Sequence, residues 1–451
     1  MTDFFRRLNK RYIRLKLGWS PQQNLFYGFL TYVVVGFLLL CIPWLENADV
    51  PILDHLFTAV SAVSTTGLVT VNITDTYNFF GQFVIIILIQ LGGIGYLTFT
   101  TFLILSTTRK MTHWHKKLLK SEFTLPSSIK ISDFLKSVVL FTLFMESLGA
   151  ILFLIAFLQK DFGFWEALWQ AVFHSVSTFC TAGFSLFDSG FTAYVDNTYV
   201  NFIISFLSIA GSLGFIVVTD FMLWFKEKTH RLSFTTKIII VGTLCLLSFG
   251  FIFFYFFEPE ISQLDGKARL LAAFFQSMTA MTTVGFNTVD FGGFVLPMIL
   301  VTIFLMYIGA SPSGTAGGVK ITTLTAVFAI MKSRIRGSRK ITFLGRTIPF
   351  ERLYIATSSF MFYTSILFLG TFLLSFTEDI HFEKILFEAA SALGTVGLST
   401  GITGNLSEWG KGIVIILMFI GRLGVLTFGL AIWSKRVLDE EEPVKEMDIA
   451  V

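Results

Sequence analysis

The chain writes one pattern four times: a long apolar run, a half-length stretch, a threonine- and glycine-rich loop, and a second long apolar run. The eight long runs fall at roughly 25–43, 80–105, 135–158, 199–225, 236–257, 295–331, 352–376 and 411–434. Apolar runs of about 18 residues or more are long enough to cross a ~30 Å hydrocarbon layer as helices. The half-length stretches lie at about 54–65, 166–178, 268–281 and 382–393. About a dozen helical residues reach only ~18 Å and cannot cross. The run at 25–43 follows a basic start but is long for a signal-peptide core and lacks a small-residue cleavage site, so it is expected to be a retained first span.

Composition fits lipid as the solvent. Of 451 residues, 54% are hydrophobic and 14% charged. Soluble domains carry about a quarter charged residues, and a chain of this size cannot bury so much apolar surface in water. The expected fold class is therefore an all-α integral membrane protein. Cys41, Cys180 and Cys245 form no metal-type pair or disulfide framework, and His113 and His115 sit in a basic loop rather than a metal site.

The repeat is visible residue by residue. The four loops read Ser64-Thr65-Thr66-Gly67-Leu68, Cys180-Thr181-Ala182-Gly183-Phe184, Thr282-Thr283-Val284-Gly285-Phe286 and Gly394-Thr395-Val396-Gly397-Leu398. A second glycine cluster begins at Gly92, Gly211, Gly309 and Gly421, which lie 25, 28, 24 and 24 residues beyond the loop glycines. With the N-terminus placed inside, 27 of the 34 Lys and Arg fall on inner segments, five fall outside, and Lys320 and Arg422 lie within the membrane. The outer segments carry 17 of the 30 Asp and Glu, an acidic face that concentrates cations.

A cation crossing lipid must exchange water oxygens for other oxygens at little net cost, and inward-pointing backbone carbonyls supply them. A short helix ending at the site adds partial negative charge. Glycine reaches positive φ and lets consecutive carbonyls face one axis. Each loop offers these parts in order. The plainer alternative, glycines serving as helix caps or close contacts, fits one such loop as well but fits four equivalent ones poorly.

On these residues, with Val284-Gly285-Phe286-Asn287, Ile308–Thr322 and Phe419–Phe428, the chain resembles the Trk/Ktr/HKT potassium-uptake family, and within it the KtrB-like membrane subunits, from Pro21 to about Lys435. The resemblance implies four membrane–pore-helix–membrane repeats around one pseudo-fourfold pore, potassium-channel-like in architecture. The repeats are expected at 21–110, 111–230, 231–335 and 336–436, with a basic N-tail (1–20) and a C-tail (437–451), both cytoplasmic. It implies a selectivity filter at Thr66, Gly67, Ala182, Gly183, Val284, Gly285, Val396 and Gly397, with K⁺ held by backbone carbonyls at the four glycines. Members that prefer Na⁺ often carry serine in place of the first glycine; Gly67 favours K⁺. Cys180 and Thr282 depart from the family pattern of asparagine and a basic residue, which bears on selectivity in detail.

Two further features suggest a gate. The segment Gly309-Ala310-Ser311-Pro312-Ser313-Gly314-Thr315-Ala316-Gly317-Gly318 cannot be regular helix throughout. Non-helical backbone at membrane depth survives only against water or protein. The resemblance makes it an intramembrane loop obstructing the pore; a kinked helix is the alternative. It is not a nucleotide P-loop, since Thr315 stands where lysine is required. Arg422, a charge within a span, is expected to bond carbonyls of this loop and oppose a passing cation; a structural arginine pinning helix ends is the alternative. Lys320 is expected to reach the cytoplasmic side, with pore lining as a weaker role. Glu146 and Asp220 are expected to be hydrogen-bonded carboxylates rather than Na⁺-coupling sites.

The predicted function is K⁺ uptake across a bacterial inner membrane by a multi-pass protein, with Na⁺ as a candidate activator. A Na⁺-permeable or Na⁺-coupled secondary transporter is the alternative. Broken-helix transporters have inverted halves, whereas this chain shows four units of one direction. No clustered catalytic residues suggest an enzyme. The basic inner loops suit anionic lipid headgroups and not nucleic acid. The resemblance implies a homodimer on a cytosolic KtrA/TrkA-like ring. Adenine nucleotide would bind that partner, since no nucleotide-binding βαβ unit is present in this chain.

Overall fold

The computed structural model describes residues 19–95, 131–160, 162–226, 231–338 and 340–433. The N-tail up to residue 18, the end of the second run, the loop holding His113 and His115, and the C-tail lie outside the described residues.

Repeat one comprises α1 (Pro21–Leu40), α2 (Ile52–Val63) and α3 (Phe79–Ile94). Repeat two comprises α4 (Ile131–Phe157), α5 (Phe164–Phe179), α6 (Thr198–Ser212) and α7 (Phe215–Lys226). Repeat three comprises α8 (Phe234–Phe257), α9 (Gly266–Thr282), α10 (Leu296–Tyr307) and α11 (Ile321–Ile335). Repeat four comprises α12 (Phe350–Thr377), α13 (Phe382–Gly394), α14 (Glu408–Leu423) and α15 (Val425–Trp433). A two-residue antiparallel ladder, Thr342–Phe343 with Arg346–Thr347, joins repeats three and four.

The leading helix of each repeat runs unbroken. Polar caps fix several starts: Ser20 and Gln23 form a reciprocal box at α1, and the Asn78 side chain accepts from the amides of Phe80 and Gly81 at α3. Only 28–33% of the most apolar 18-residue window is buried in α1, α4, α8 and α12. Much of the remainder, including Leu38, Phe144, Val241 and Phe368, is exposed, as helices bathed in hydrocarbon require.

Leading and trailing helices of a repeat meet at one equivalent point. Gly36 faces Leu88, Gly149 faces Leu207, Gly250 faces Leu305 and Gly370 faces Leu417. A Cβ built on any of these glycines would stand 2.6–2.7 Å from a leucine methyl. Small residues permit such close approach where packing drives helix association in lipid.

The trailing helices differ from the continuous runs expected from the sequence. The runs at 199–225 and 411–434 each break, by 89° between α6 and α7 and by 97° between α14 and α15. α3 likewise stops at Gly95. Gly95, Gly214 and Gly424 take φ of 84°, 84° and 86°, a conformation that ends a right-handed helix and that glycine adopts without strain. In repeat three the break widens into a loop, residues 308–320, between α10 and α11. Asp220 accepts from the Ser233 amide and the Thr236 hydroxyl, both at 2.7 Å, and so ties α7 to the start of α8.

Candidate permeation site

The short helices α2, α5, α9 and α13 all end in the same turn. The amides of Thr66, Ala182, Val284 and Val396 donate back to the carbonyls of Ser61, Ser177, Thr279 and Ser391 at 2.8–3.2 Å. The threonine two before each glycine is left-handed: Thr65, Thr181, Thr283 and Thr395 have φ of 50°, 50°, 56° and 47°. A β-branched residue pays of order 1–3 kcal/mol for that conformation, so the surrounding packing must impose it. The glycines follow at φ 91°, 69°, 82° and 88°. With the intervening residue at negative φ, the alternating sign turns successive carbonyls to one side of the strand.

These loops close a ring. A Cβ added to Gly67 would meet the carbonyl oxygen of Ala182, and one on Gly183 would stand 2.6 Å from that of Val284. One on Gly285 would meet the carbonyl of Val396, and one on Gly397 that of Thr66. Each also falls within 3.0–3.2 Å of the next glycine's Cα. All eight residues predicted for the filter are thus brought together, with four carbonyls beside four glycines. No side chain fits at these positions.

The second glycine cluster has a local cause. Added Cβ atoms on Gly92, Gly211 and Gly421 would strike the carbonyls of Val63, Phe179 and Leu393, at the ends of α2, α5 and α13. Glycine lets each trailing helix lie directly under a short helix. In repeat three Gly309 meets Gly317 instead, because the 308–320 loop has taken that space.

The loop sits against the filter's base. It leaves and returns at one place: the Val319 amide donates to Tyr307 (2.9 Å) and that of Ile321 to Ala310 (3.1 Å). Ser311 and Ser313 donate their hydroxyls to the Pro312 carbonyl, and the Phe215 amide donates to Ser313. The Thr315 amide donates to Gly211 (3.2 Å) and its hydroxyl to Phe179 (3.3 Å). The Gly317 amide donates to the Thr283 hydroxyl at 3.1 Å, directly below the ring. A Cβ on Gly314 would lie 2.7 Å from the Ser212 carbonyl, and one on Gly317 would meet that of Gly394. Arg422 clamps the arrangement by donating to the carbonyls of Thr315, Gly92 and Gly93. Every residue predicted for the gate lies in this one assembly.

Lys320 does not extend away. Its ammonium curls back to donate to the carbonyls of Ala316 (2.6 Å) and Gly317 (2.9 Å), reinforcing the loop. On the loop's far side a cavity of about 840 Å³ is lined by Pro312, Lys320, Phe215, Arg352 and Arg422 among others. Glu146 accepts from the Gln90 amide at 3.1 Å and lies 3.7 Å from the Cys180 thiol, so this departure from the family pattern sits in a polar cluster behind the filter.

Sequence reasoning missed the four left-handed threonines as a functional set, although threonine stands two before the glycine in all four loops. It also missed the hydroxyls that hold the outer strands. Ser61, Ser177 and Thr279 donate to the carbonyls of Leu68, Phe184 and Phe286 at 2.6–2.8 Å.

A family model described as TrkH, cation transport protein, matches residues 30–436. The Ktr system potassium uptake protein B of Bacillus subtilis is 35% identical over 91% of this chain and 92% of its own length. The potassium/sodium uptake protein NtpJ of Enterococcus hirae is 33% identical over 95% and 96%. The crystal structure of the potassium transporter TrkH from Vibrio parahaemolyticus superposes with a TM-score of 0.72 at 18% identity, covering 91% of this chain and 84% of that one.

Proposed function

The chain belongs to the TrkH cation transport family, a multi-pass membrane transporter and not an enzyme, and from this we propose that it takes up K⁺ through the ring of Gly67, Gly183, Gly285 and Gly397. The observation that carries the reading is the closed circuit of glycines and carbonyls, each loop packed on the next. A dehydrated K⁺ meets oxygens from four strands, in place of hydration water. The ends of α2, α5, α9 and α13 add their partial negative charge beneath it. Relatives named for potassium uptake, identical at about a third of positions, support K⁺ as the ion.

Below the ring, the 309–318 loop blocks the path and Arg422 holds it shut. Two unit charges about 4 Å apart repel by roughly 4 kcal/mol at an effective dielectric near 20, so a cation brought up to the guanidinium is opposed by its charge as well as by the loop. Conduction requires the loop to swing aside, exchanging its bonds to Gly211, Phe179 and Thr283. A cytosolic nucleotide-binding ring of the KtrA/TrkA type, docked on a homodimer at the inner face of a bacterial membrane with both termini cytoplasmic, would drive that displacement. A second reading, passage of Na⁺ as well or activation by it, draws on the Enterococcus relative named for both ions.

Complementation tests the proposal: expression in a bacterium lacking K⁺ uptake, with and without Na⁺ and a KtrA-like partner, restores growth at low K⁺. Failure under every condition despite membrane expression overturns it.

A further inference from the structure

One position, nine residues before each filter glycine, is occupied by Thr58, His174, Gln276 and Glu388 in the four repeats. The last three are fully buried in α5, α9 and α13. All three reach across to the outer strand that follows their own glycine. His174 Nδ1 lies 2.8 Å from the Gln170 carbonyl and donates to it, leaving Nε2 to accept from the Leu186 amide (3.3 Å) and the Ser185 hydroxyl (3.2 Å). Gln276 donates to the Val289 carbonyl (2.8 Å) and accepts from the Thr288 amide (3.3 Å). Glu388 accepts from the hydroxyls of Ser399 (2.8 Å) and Thr403, one on each carboxylate oxygen.

Repeat four is also where the other anchor is missing. The Ser391 hydroxyl, equivalent to Ser61, Ser177 and Thr279, is buried without a hydrogen-bond partner among the described residues. The strand above Gly397 therefore lacks the bond that holds Leu68, Phe184 and Phe286. Its side-chain tie to α13 runs through Glu388. That strand also borders an outer recess shared with Gly67, Leu68 and Val69, so its position shapes the mouth of the pore.

We propose that Glu388 is a positioning residue of the filter: by holding Ser399 and Thr403 it fixes the strand above Gly397 and thereby sets the preference for K⁺ over Na⁺. A ring that discriminates between two ions of one charge must keep its oxygens from adapting to the smaller one, and a strand freed on one side of four relaxes that constraint. Thr58, too short to make such a tie, and the partnered Ser61 show the reverse division of labour in repeat one. The inference rests on the permeation reading above but concerns a residue that does not touch the ion.

The test is ion flux into vesicles containing the full chain, with K⁺ and Na⁺ measured in parallel for wild type, Glu388→Gln, Glu388→Ala and Ser399→Ala. The expected result is a fall in the K⁺/Na⁺ flux ratio of about tenfold in Glu388→Ala, a smaller fall in Ser399→Ala, and near-retention in Glu388→Gln, which keeps the shape and one acceptor. Ser399 is only half-buried, so its variant reports on the same bond if Glu388→Ala does not fold. A wild-type ratio in Ser399→Ala and in whichever Glu388 variants fold overturns the inference, even if the rate drops, since a merely structural role lowers flux of both ions alike. Absence of alkali-cation flux in wild type overturns the permeation reading and this inference together.

Discussion

Gly397 packs against Gly67, so that an added Cβ on the first would fall 3.1 Å from the Cα of the second and collide with the Thr66 carbonyl. Residues from opposite ends of the chain thus complete the ring. Substituting alanine at either glycine adds a methyl where backbone already stands and places an L-residue at φ near 90°. The strain alone is about 1–2 kcal/mol, or roughly tenfold in a rate. K⁺ flux in Gly67→Ala and Gly397→Ala is expected to fall by at least tenfold in vesicle uptake, with folding intact by size-exclusion. Flux within twofold of wild type would remove both glycines from the path.

Arg422 is expected to act in the opposite direction. Arg422→Ala removes the donors to Thr315, Gly92 and Gly93. At about 1 kcal/mol per hydrogen bond the closed state loses a few kcal/mol, and resting cation flux rises by tenfold or more. Deleting 309–317 is sterically reasonable because residues 307 and 319 are already bonded, and it is expected to raise flux further. Unchanged flux in both variants would dismiss the gate.

The ion pair Lys411–Asp54, at 2.6 Å, joins α14 of repeat four to the first turn of α2. Asp54 is 3% exposed, so removing its partner strands a buried charge. Lys411→Met is expected to cost about 3 kcal/mol or more, while Lys411→Met with Asp54→Asn costs much less. Thermal unfolding in detergent checks the order; a double variant no more stable than the single would contradict it.

Packing between leading and trailing helices gives a size-graded prediction. Gly370→Ala gains about 1 kcal/mol of helix propensity, which offsets a contact that Leu417 can relieve by turning its methyls. Gly370→Leu has no such relief and is expected to lower Tm by several degrees, an overpacking cost of about 1–3 kcal/mol. Equal Tm values for the two variants would show that this contact is loose.

The parts of this architecture that were legible in the sequence are those that every repeat must write with the same residue. Gly67, Gly183, Gly285 and Gly397 have no substitute in a crowded ring, so identity at a fixed offset exposed them. The 309–318 loop was equally plain, since proline and four glycines cannot continue a helix. The breaks at Gly214 and Gly424 were not, because one glycine at positive φ leaves the apolar run around it uninterrupted. The left-handed threonines were hidden for the contrary reason: local preference argues against that conformation, and only the packed ring imposes it. His174, Gln276 and Glu388 share a role without sharing chemistry, so their common offset from the filter glycine carries no signal until the strand each one holds is seen.

The leucine that seats on Gly36, Gly149, Gly250 or Gly370 lies four residues before its cluster glycine in every repeat, yet the four quadrants are spelled by separate stretches of one gene. In a pore assembled from identical copies, any change in a wall is made fourfold at once. Here a single codon alters one wall and leaves three untouched, so conductance and ion choice are open to adjustment in quarter steps, each small enough for selection to keep.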